Sequence, residues 1–504
     1  MNQLKAGAVL NYVAIALNMI IGLLYTPYML RMLGQSEYGL YSLAASIIAY
    51  LTVLDLGFGN AIIRYTAKFR AEGKNEEQQY MFGMFFILYI FIGIVAIAAG
   101  AVLALNVENL FSTNMSGEEV ERTRIMLWLM TFNLAFTFPM SIWGSIMSAY
   151  ERFVFQRLIS ITRSILNPLV MIFLLSFGYK AVAMVVVTTL FNVATLVINY
   201  IYCKYKLSIT LKFGRFNGPF LKEVSIYSFW IFLNVIMDRI YWSTGQFVLG
   251  IYKGSVAIAV YAVAIQLQSM YMMFSTAISG VFLPRVTGMV AKENNTKAIS
   301  DLFIRTGRVQ FIIMALILTG FVIFGKSFIL FWAGEGYEDA YIISLLFFIP
   351  LTVPLIQNLG IIILQARNQM KFRSLVYVII SICSLGISIP LTKYYGGIGC
   401  AVGTSLALTA GQIIVMNVYY YKVQHLDIIA FWREIAKMSI VPLLFVIVFL
   451  SFNNYLIDLF SIPSTYMLSI CVFLLLYLPL FWIFSINKEE KSLILTPVKK
   501  ILRK

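Results

Sequence analysis

Apolar positions along this chain neither alternate nor fall into narrow amphipathic stripes; they run on. Fourteen apolar stretches occupy residues 8 to 486 with no soluble domain between them. Each is near the roughly 20 residues that a bilayer crossing requires. They lie near 8–30, 40–62, 81–105, 125–147, 158–178, 181–203, 226–249, 256–283, 309–332, 340–364, 374–392, 398–420, 438–457 and 465–486. A barrel strand would alternate apolar and polar residues, and the segment from Met81 to Ile90 does not. Only helices that satisfy their own backbone then fit in lipid. The pattern predicts an all-α integral membrane protein of about 14 transmembrane helices.

The pattern also repeats. Gly39-Leu40-Tyr41 opens the second stretch much as Val260-Tyr261-Ala262 opens the eighth, with Tyr41 and Tyr261 separated by 220 positions. Arg64 and Arg285 follow at 221, and Ala149 and Phe155 match Ala366 and Phe372 at 217. Six helices per repeat start both halves on one side, the parallel-repeat arrangement of some transporters. The expected organisation is two pseudo-symmetric six-helix lobes around a central cavity, residues 1–204 and 226–422. A cytoplasmic linker at 205–225 joins them, and helices 13–14 with a basic tail occupy 423–504.

Composition changes the picture in one respect, through charge. The chain has 38 Lys and Arg against 22 Asp and Glu, a net charge of +16. Twenty-nine of those basic residues fall in alternate connections and the tail, among them Lys68, Arg152, Lys204, Lys297, Arg367 and Lys422. The opposite connections collect acids such as Glu108, Glu118, Glu119 and Glu335. Such alternation is the positive-inside signal, which places both termini in the cytoplasm and accounts for the charge without nucleic acid. The first stretch is full length with no evident cleavage site, so it is expected to stay as helix one. His425 is the single histidine, and Cys203, Cys383, Cys400 and Cys471 show no metal-ligand spacing. No Walker loop or zinc motif is present, so no catalytic residue, cofactor or metal is expected.

Candidate chemistry lies in polar residues placed in the apolar stretches, where charge costs about 2.5–3.5 kcal/mol on insertion scales. Asp238 and Arg239 sit near the centre of the seventh stretch, with Asn234, Asp238 and Trp242 spaced to share one helix face. They either line the cavity, offering an amide, a carboxylate and an aromatic surface to a hydroxyl-rich ligand, or pair with other helices. Arg163 either meets an anionic headgroup or snorkels to lipid phosphates, and Arg64, near a helix end, snorkels too. Asn11, Asn18 and Tyr25 form a polar stripe on helix one. Asp55 is either an ion site or a local cap beside Gly57 and Gly59. Pro27, Pro139, Pro350 and Pro354 interrupt apolar runs, where kinks would serve as hinges or stand fixed.

At this point the sequence resembles a known family. Thr26-Pro27-Tyr28-Met29-Leu30-Arg31-Met32-Leu33-Gly34-Gln35-Ser36-Glu37-Tyr38-Gly39-Leu40-Tyr41 is similar to the first hairpin of polysaccharide-biosynthesis flippases. Asp55-Leu56-Gly57-Phe58-Gly59-Asn60, Asp238-Arg239 and Val260-Tyr261-Ala262-Val263-Ala264 continue the likeness. These are the Wzx-type O-antigen and exopolysaccharide transporters of the MOP superfamily, related to MATE exporters and lipid II flippases. The resemblance implies a MATE-like fold in a bacterial cytoplasmic (inner) membrane. It implies a flippase, not an enzyme, that carries a polyprenyl-diphosphate-linked oligosaccharide to the outer leaflet, working beside a polysaccharide polymerase and chain-length machinery. Arg239 and Arg163 are then the cationic residues offered to the diphosphate, with Arg64, Asp238, Asn234, Trp242, Asn18 and Tyr25 in the cavity. Coupling to an H+ or Na+ gradient would fall to Asp55 and Asp238. A MATE-like drug exporter would want an acidic cavity, and a membrane polymerase or ligase would want a large outer loop; the longest here is about 106–124.

Overall fold

The computed structural model describes residues 3–214, 218–279, 286, 288–289, 296–367, 369–452, 463–492 and 495. Arg285, linker residues 215–217 and the basic tail beyond 495 lie outside that set. The described chain is helical and contains no strand. Its helices are α1 Gln3–Leu51, α2 Phe58–Ala71, α3 Asn75–Leu105, α4 Val107–Phe111, α5 Gly117–Ala149, α6 Phe153–Ser176, α7 Ala181–Lys206, α8 Gly218–Tyr252 and α9 Ser255–Ser279. They continue as α10 Thr296–Trp332, α11 Asp339–Ile356, α12 Asn358–Ala366, α13 Met370–Leu408, α14 Met416–Lys422, α15 Ile428–Ser451 and α16 Pro463–Phe484.

Eleven runs among the described residues are long and apolar enough to cross a membrane, which makes this a multi-pass membrane protein. Runs and crossings are different counts. Val9–Ala71 has 63 residues and Met370–Lys422 has 53, whereas about 20 residues span the hydrocarbon core. Glycines interrupt both: Gly34 takes φ 75 and ψ 170, and Gly396 takes φ 58 and ψ −137. Those conformations suit glycine, which lacks the Cβ that penalises positive φ. A third break follows the single 3₁₀ turn Thr52–Asp55, where Leu56 is left-handed at φ 52 before α2 begins. A fourth, at Gln357, separates α11 from α12. The second and tenth expected spans are therefore each divided. Helical geometry continues through Pro27, Pro139, Pro350 and Pro354, so the breaks fall elsewhere than at the prolines.

The chain forms two compact units: Met1–Val263 with Tyr377–Thr404, and Ala264–Val376 with Ser405–Lys504. In the first, α3 packs along α5, and Gly93 and Gly100 give room for the Ala135 carbonyl and the Thr131 side chain. Small residues allow this close approach where lipid supplies no hydrophobic drive. Phe58, Phe85, Tyr89 and Phe138 form its aromatic centre, with Tyr89 and Phe138 stacked at 6.4 Å. Gly39 faces the Ser255 carbonyl, where a Cβ has no room. Gly39→Val is expected to lower thermal stability by about 1–3 kcal/mol through overpacking, read as a lower Tm of the purified protein in detergent.

In the second unit α10 packs on α11 and α15. Tyr271 stacks on Phe348 at 4.4 Å and shares a 2.7 Å hydrogen bond with Thr352. Similar aromatic stacks occur in both units. Phe155 stacks on Tyr202 at 4.0 Å, and Phe372, 217 positions later, stacks on Tyr419 at 4.1 Å.

Candidate functional site

Within the first unit, α5, α7 and the part of α1 after Gly34 enclose a cavity of about 360 Å³ closed by α8. The polar wall is Tyr41, Thr52, Asn133, Thr137, Thr188 and Thr189, and the apolar wall includes Ala45, Ile48, Met130 and Val185. Among the described residues, Arg239 is the one cation that lines it, and no Asp or Glu does. The Nε of Arg239 is buried without a hydrogen-bond partner among the described residues. Desolvating such a donor costs about 1–3 kcal/mol or more when it is charged. An anion in the cavity would offset that cost.

The wall behind Asn133 and Thr137 is held by an amide. Asn192 Nδ2 donates to Asn133 Oδ1 and to Thr137 Oγ1, both at 2.8 Å. Arg163 Nη1 donates to Asn192 Oδ1 at 3.0 Å. Arg163 is thus a half-buried positioning group one residue removed from the cavity, tied to helices α5 and α7. On α8, Thr244 shares a hydrogen bond with Tyr50, which holds that helix against α1.

Other candidates lie apart from this cavity. Asp238 is exposed on α8 and makes polar contact there, although it adjoins Arg239 in sequence. Adjacent helical residues point about 100° apart, and the structure brings only the arginine to the cavity. Trp242 is half-buried beside Tyr241, with ring centroids 6.2 Å apart, and does not line it. The Asn234 side chain lies outside the described set. Arg64, expected near a helix end, is instead exposed in the middle of α2, because the break before Phe58 starts a new helix there; its guanidinium lies 5.8 Å from the Tyr65 ring. On α1, Asn18 is exposed and Tyr25 is half-buried with its hydroxyl unpartnered.

Asp55 closes the break before α2. Tyr89 donates to its Oδ1 at 2.9 Å, and the Gly57 N–H donates to the same carboxylate. Tyr89 in turn packs on Phe58 and Phe138, so the carboxylate is built into the core around the break. Tyr89→Phe should cost about 1.5–3 kcal/mol, the range for a hydrogen bond to a charged group. A drop in Tm of the purified protein would report it.

A second polar cluster ties the part of α1 just after Gly34 to the starts of α5, α7 and α9. Glu37, 4% exposed, pairs with Arg122 and accepts the Ala181 N–H at 3.2 Å. Glu119 Oε1 accepts from Ser36 at 2.5 Å and from Ser255 at 2.6 Å. Asn114 Nδ2 donates to the Ile251 carbonyl at 2.6 Å close by. Sequence reasoning missed this cluster because Glu37 and Glu119 lie at helix ends, where charge is ordinary. It also missed Asn133, Thr137 and Asn192, although polar residues inside apolar helices were the signal that found Arg239.

Comparison with known proteins bears on this architecture. The model of the polysaccharide biosynthesis protein family matches residues 4–290, more than half of the 504. No curated protein matches the chain by sequence. Among solved structures, a lipid II flippase MurJ in an inward closed conformation superposes with a TM-score of 0.72 at 17% identity, covering 95% of this chain and 98% of that one. An inward-facing multidrug resistance MATE family transporter of the MOP superfamily gives 0.56 at 15%, covering 82% and 99%. A MOP superfamily transporter from Pyrococcus furiosus gives 0.54 at 15%, covering 82% and 96%. At these identities the likeness is one of fold, and the fold is that of MurJ and the MATE transporters. By the match over residues 4–290, the chain belongs to the polysaccharide biosynthesis protein family.

Proposed function

We propose that this protein is a flippase that carries a polyprenyl-diphosphate-linked oligosaccharide from the cytoplasmic to the outer leaflet of a bacterial inner membrane by alternating access. The observation that carries the reading is Arg239. It is the cation in a cavity walled by hydroxyls and an amide, with no carboxylate lining it. A diphosphate needs paired donors, and the guanidinium fork matches phosphate oxygens in a way a point charge does not. Tyr41, Thr52, Asn133 and Thr137 supply uncharged groups of the kind that hydrogen-bond sugars. The polyprenyl chain stays in lipid. That the similar MurJ structure is a lipid II flippase is consistent with a lipid-linked cargo.

Arg163 is read as supporting the cavity wall through Asn192, not as a ligand itself. Asp55 is read as the cap of a helix break, which assigns it a structural role and no ion coupling. The basic connections face the cytoplasm, so the cluster around Glu37 and Glu119 closes the outer end. Cargo delivered there would be a substrate for a polymerase and chain-length machinery.

The experiment follows the lipid-linked oligosaccharide in cells with and without this protein and scores the leaflet it occupies. Its loss should trap the intermediate on the cytoplasmic face. Unchanged sidedness would sink the proposal for that cargo, and efflux of cationic drugs would be assayed next.

A further inference from the structure

A second, open pocket, apart from the one that Arg239 lines, lies in the first unit. Helices α3, α5 and α7 and the segment that follows α7 border about 750 Å³. That volume falls within the range of small-molecule sites. Its inner wall is apolar and aromatic: Phe86, Met140, Trp143 and Tyr200, with Trp143 and Tyr200 packed edge to face at 5.0 Å. Its rim is polar, formed by Lys204, Ser208 and Thr210, and no carboxylate lines it. The Lys204 ammonium lies 5.6 Å from the Tyr200 ring and 5.8 Å from the Tyr205 ring.

The pocket is built rather than incidental. The segment that carries Ser208 and Thr210 is pinned at both ends. The Ile209 N–H donates to the Cys203 carbonyl at 3.1 Å, and the Lys212 N–H donates to the Gln79 carbonyl at 3.2 Å. Gly83 on α3 gives the Lys212 carbonyl room that a Cβ would fill. Cys203 Sγ donates to the Trp143 carbonyl at 3.4 Å, which ties α7 to α5 behind the pocket. Tyr205 stands 73% exposed at its mouth. Tyrosine and tryptophan with lysine at the end of an apolar helix mark the headgroup level of a bilayer.

We propose that this pocket is a binding site for an anionic phospholipid. The acyl chain lies against Phe86, Met140, Trp143 and Tyr200, and the phosphate meets Lys204 with Ser208 and Thr210. Charge complementarity selects the occupant. A lysine is a compact point charge, matched to the single negative charge of a phosphodiester. A diphosphate would carry more charge than the pocket's one cation balances. Apolar walls and a cationic rim are the two terms that hold anionic lipid at an interface. The site does not depend on what the Arg239 cavity transports.

The test uses the full chain in phosphatidylcholine nanodiscs doped with phosphatidylglycerol bearing a photoreactive diazirine in its acyl chain. Cross-linked peptides are mapped by mass spectrometry. Peptides carrying Met140, Trp143 and Tyr200 should be labelled about fivefold over the exposed α6 peptide around Phe173, as expected from one lysine near an anionic surface. Lys204→Gln should return labelling to the α6 level, and Met140→Trp, which narrows the apolar wall, should lower it. The exposed Lys204 makes that variant safe for folding, and size exclusion checks the other. Three outcomes overturn the proposal. One is equal enrichment with a diazirine phosphatidylcholine. Another is enrichment that survives Lys204→Gln. The third is displacement of the probe by polyprenyl diphosphate at lower concentration than by unlabelled phosphatidylglycerol, which would reassign the pocket to the carrier.

Discussion

Arg239→Ala should abolish movement of the lipid-linked oligosaccharide while leaving the amount of protein in the membrane unchanged. The guanidinium lines the cavity, and its Nε donates to no described residue. Removing it therefore breaks no hydrogen bond from Nε that holds the fold. What is lost is attraction for an anion, and charge-assisted hydrogen bonds are worth about 1.5–3 kcal/mol each. Two of them, as a bidentate arginine makes, correspond to a loss on the order of 100-fold or more in transport. Arg239→Lys keeps the charge and loses the fork, so it should fall between wild type and alanine. Leaflet sidedness of the oligosaccharide, with immunoblots for protein level, separates these results. If alanine transports normally, Arg239 is not a cargo residue. If it lowers protein level as sharply as transport, its role is structural.

The largest effect on stability is expected in the second unit, at Arg308. This arginine is 5% exposed and Glu490 is 1% exposed. Arg308 Nε and Nη2 donate to the two oxygens of Glu490 at 2.6 and 3.0 Å, Nη1 donates to Glu434 at 2.6 Å, and Nη2 also donates to the Ser485 carbonyl at 3.1 Å. Glu490 also accepts the Asn487 N–H at 2.9 Å, and its own N–H donates back to Asn487 Oδ1. The network ties α10 to α15 and to the chain that follows α16. Arg308→Ala would leave a buried carboxylate with its cation removed, which typically costs about 3–5 kcal/mol. The expected readout is a large fall in Tm in detergent and in the level of protein in membranes. Replacing both partners, as in Arg308→Met with Glu490→Leu, should recover much of that loss, because a buried pair is often no better than an apolar one of similar volume. A double variant as unstable as the single one would show that Glu434 or the Ser485 carbonyl carries the cost instead.

The contrast between Arg308 and Arg239 shows how far sequence reading reaches. Both are arginines in long apolar helices. Arg239 was flagged because it sits mid-stretch, where charge is expensive. Arg308 stands just before the stretch 309–332, where a basic residue bears only on topology. Its burial depends on Glu434 and Glu490, more than a hundred positions away in sequence. No local pattern carries that information.

The sequence by itself determined the fold class, the membrane location and the family likeness. Each of these rests on local information: the length of apolar runs and a first hairpin read residue by residue. Only the tertiary structure decided which polar groups meet. Asp238 and Arg239 are neighbours in the chain, yet the helix turn between them sends the arginine to the cavity and leaves the carboxylate exposed. Asp55 lies beside a helix break and accepts a hydrogen bond from Tyr89 on another helix. Arg163 became a support for the cavity wall because Asn192 stands between it and Asn133. The breaks likewise fell at Gly34, Leu56, Gln357 and Gly396, whereas the chain stays helical through Pro27, Pro139, Pro350 and Pro354. In membrane helices, neighbouring groups can satisfy what a proline leaves open. Apolar patterning fixes that a helix is in lipid. Which side of it faces another helix is set by contacts between residues distant in the chain.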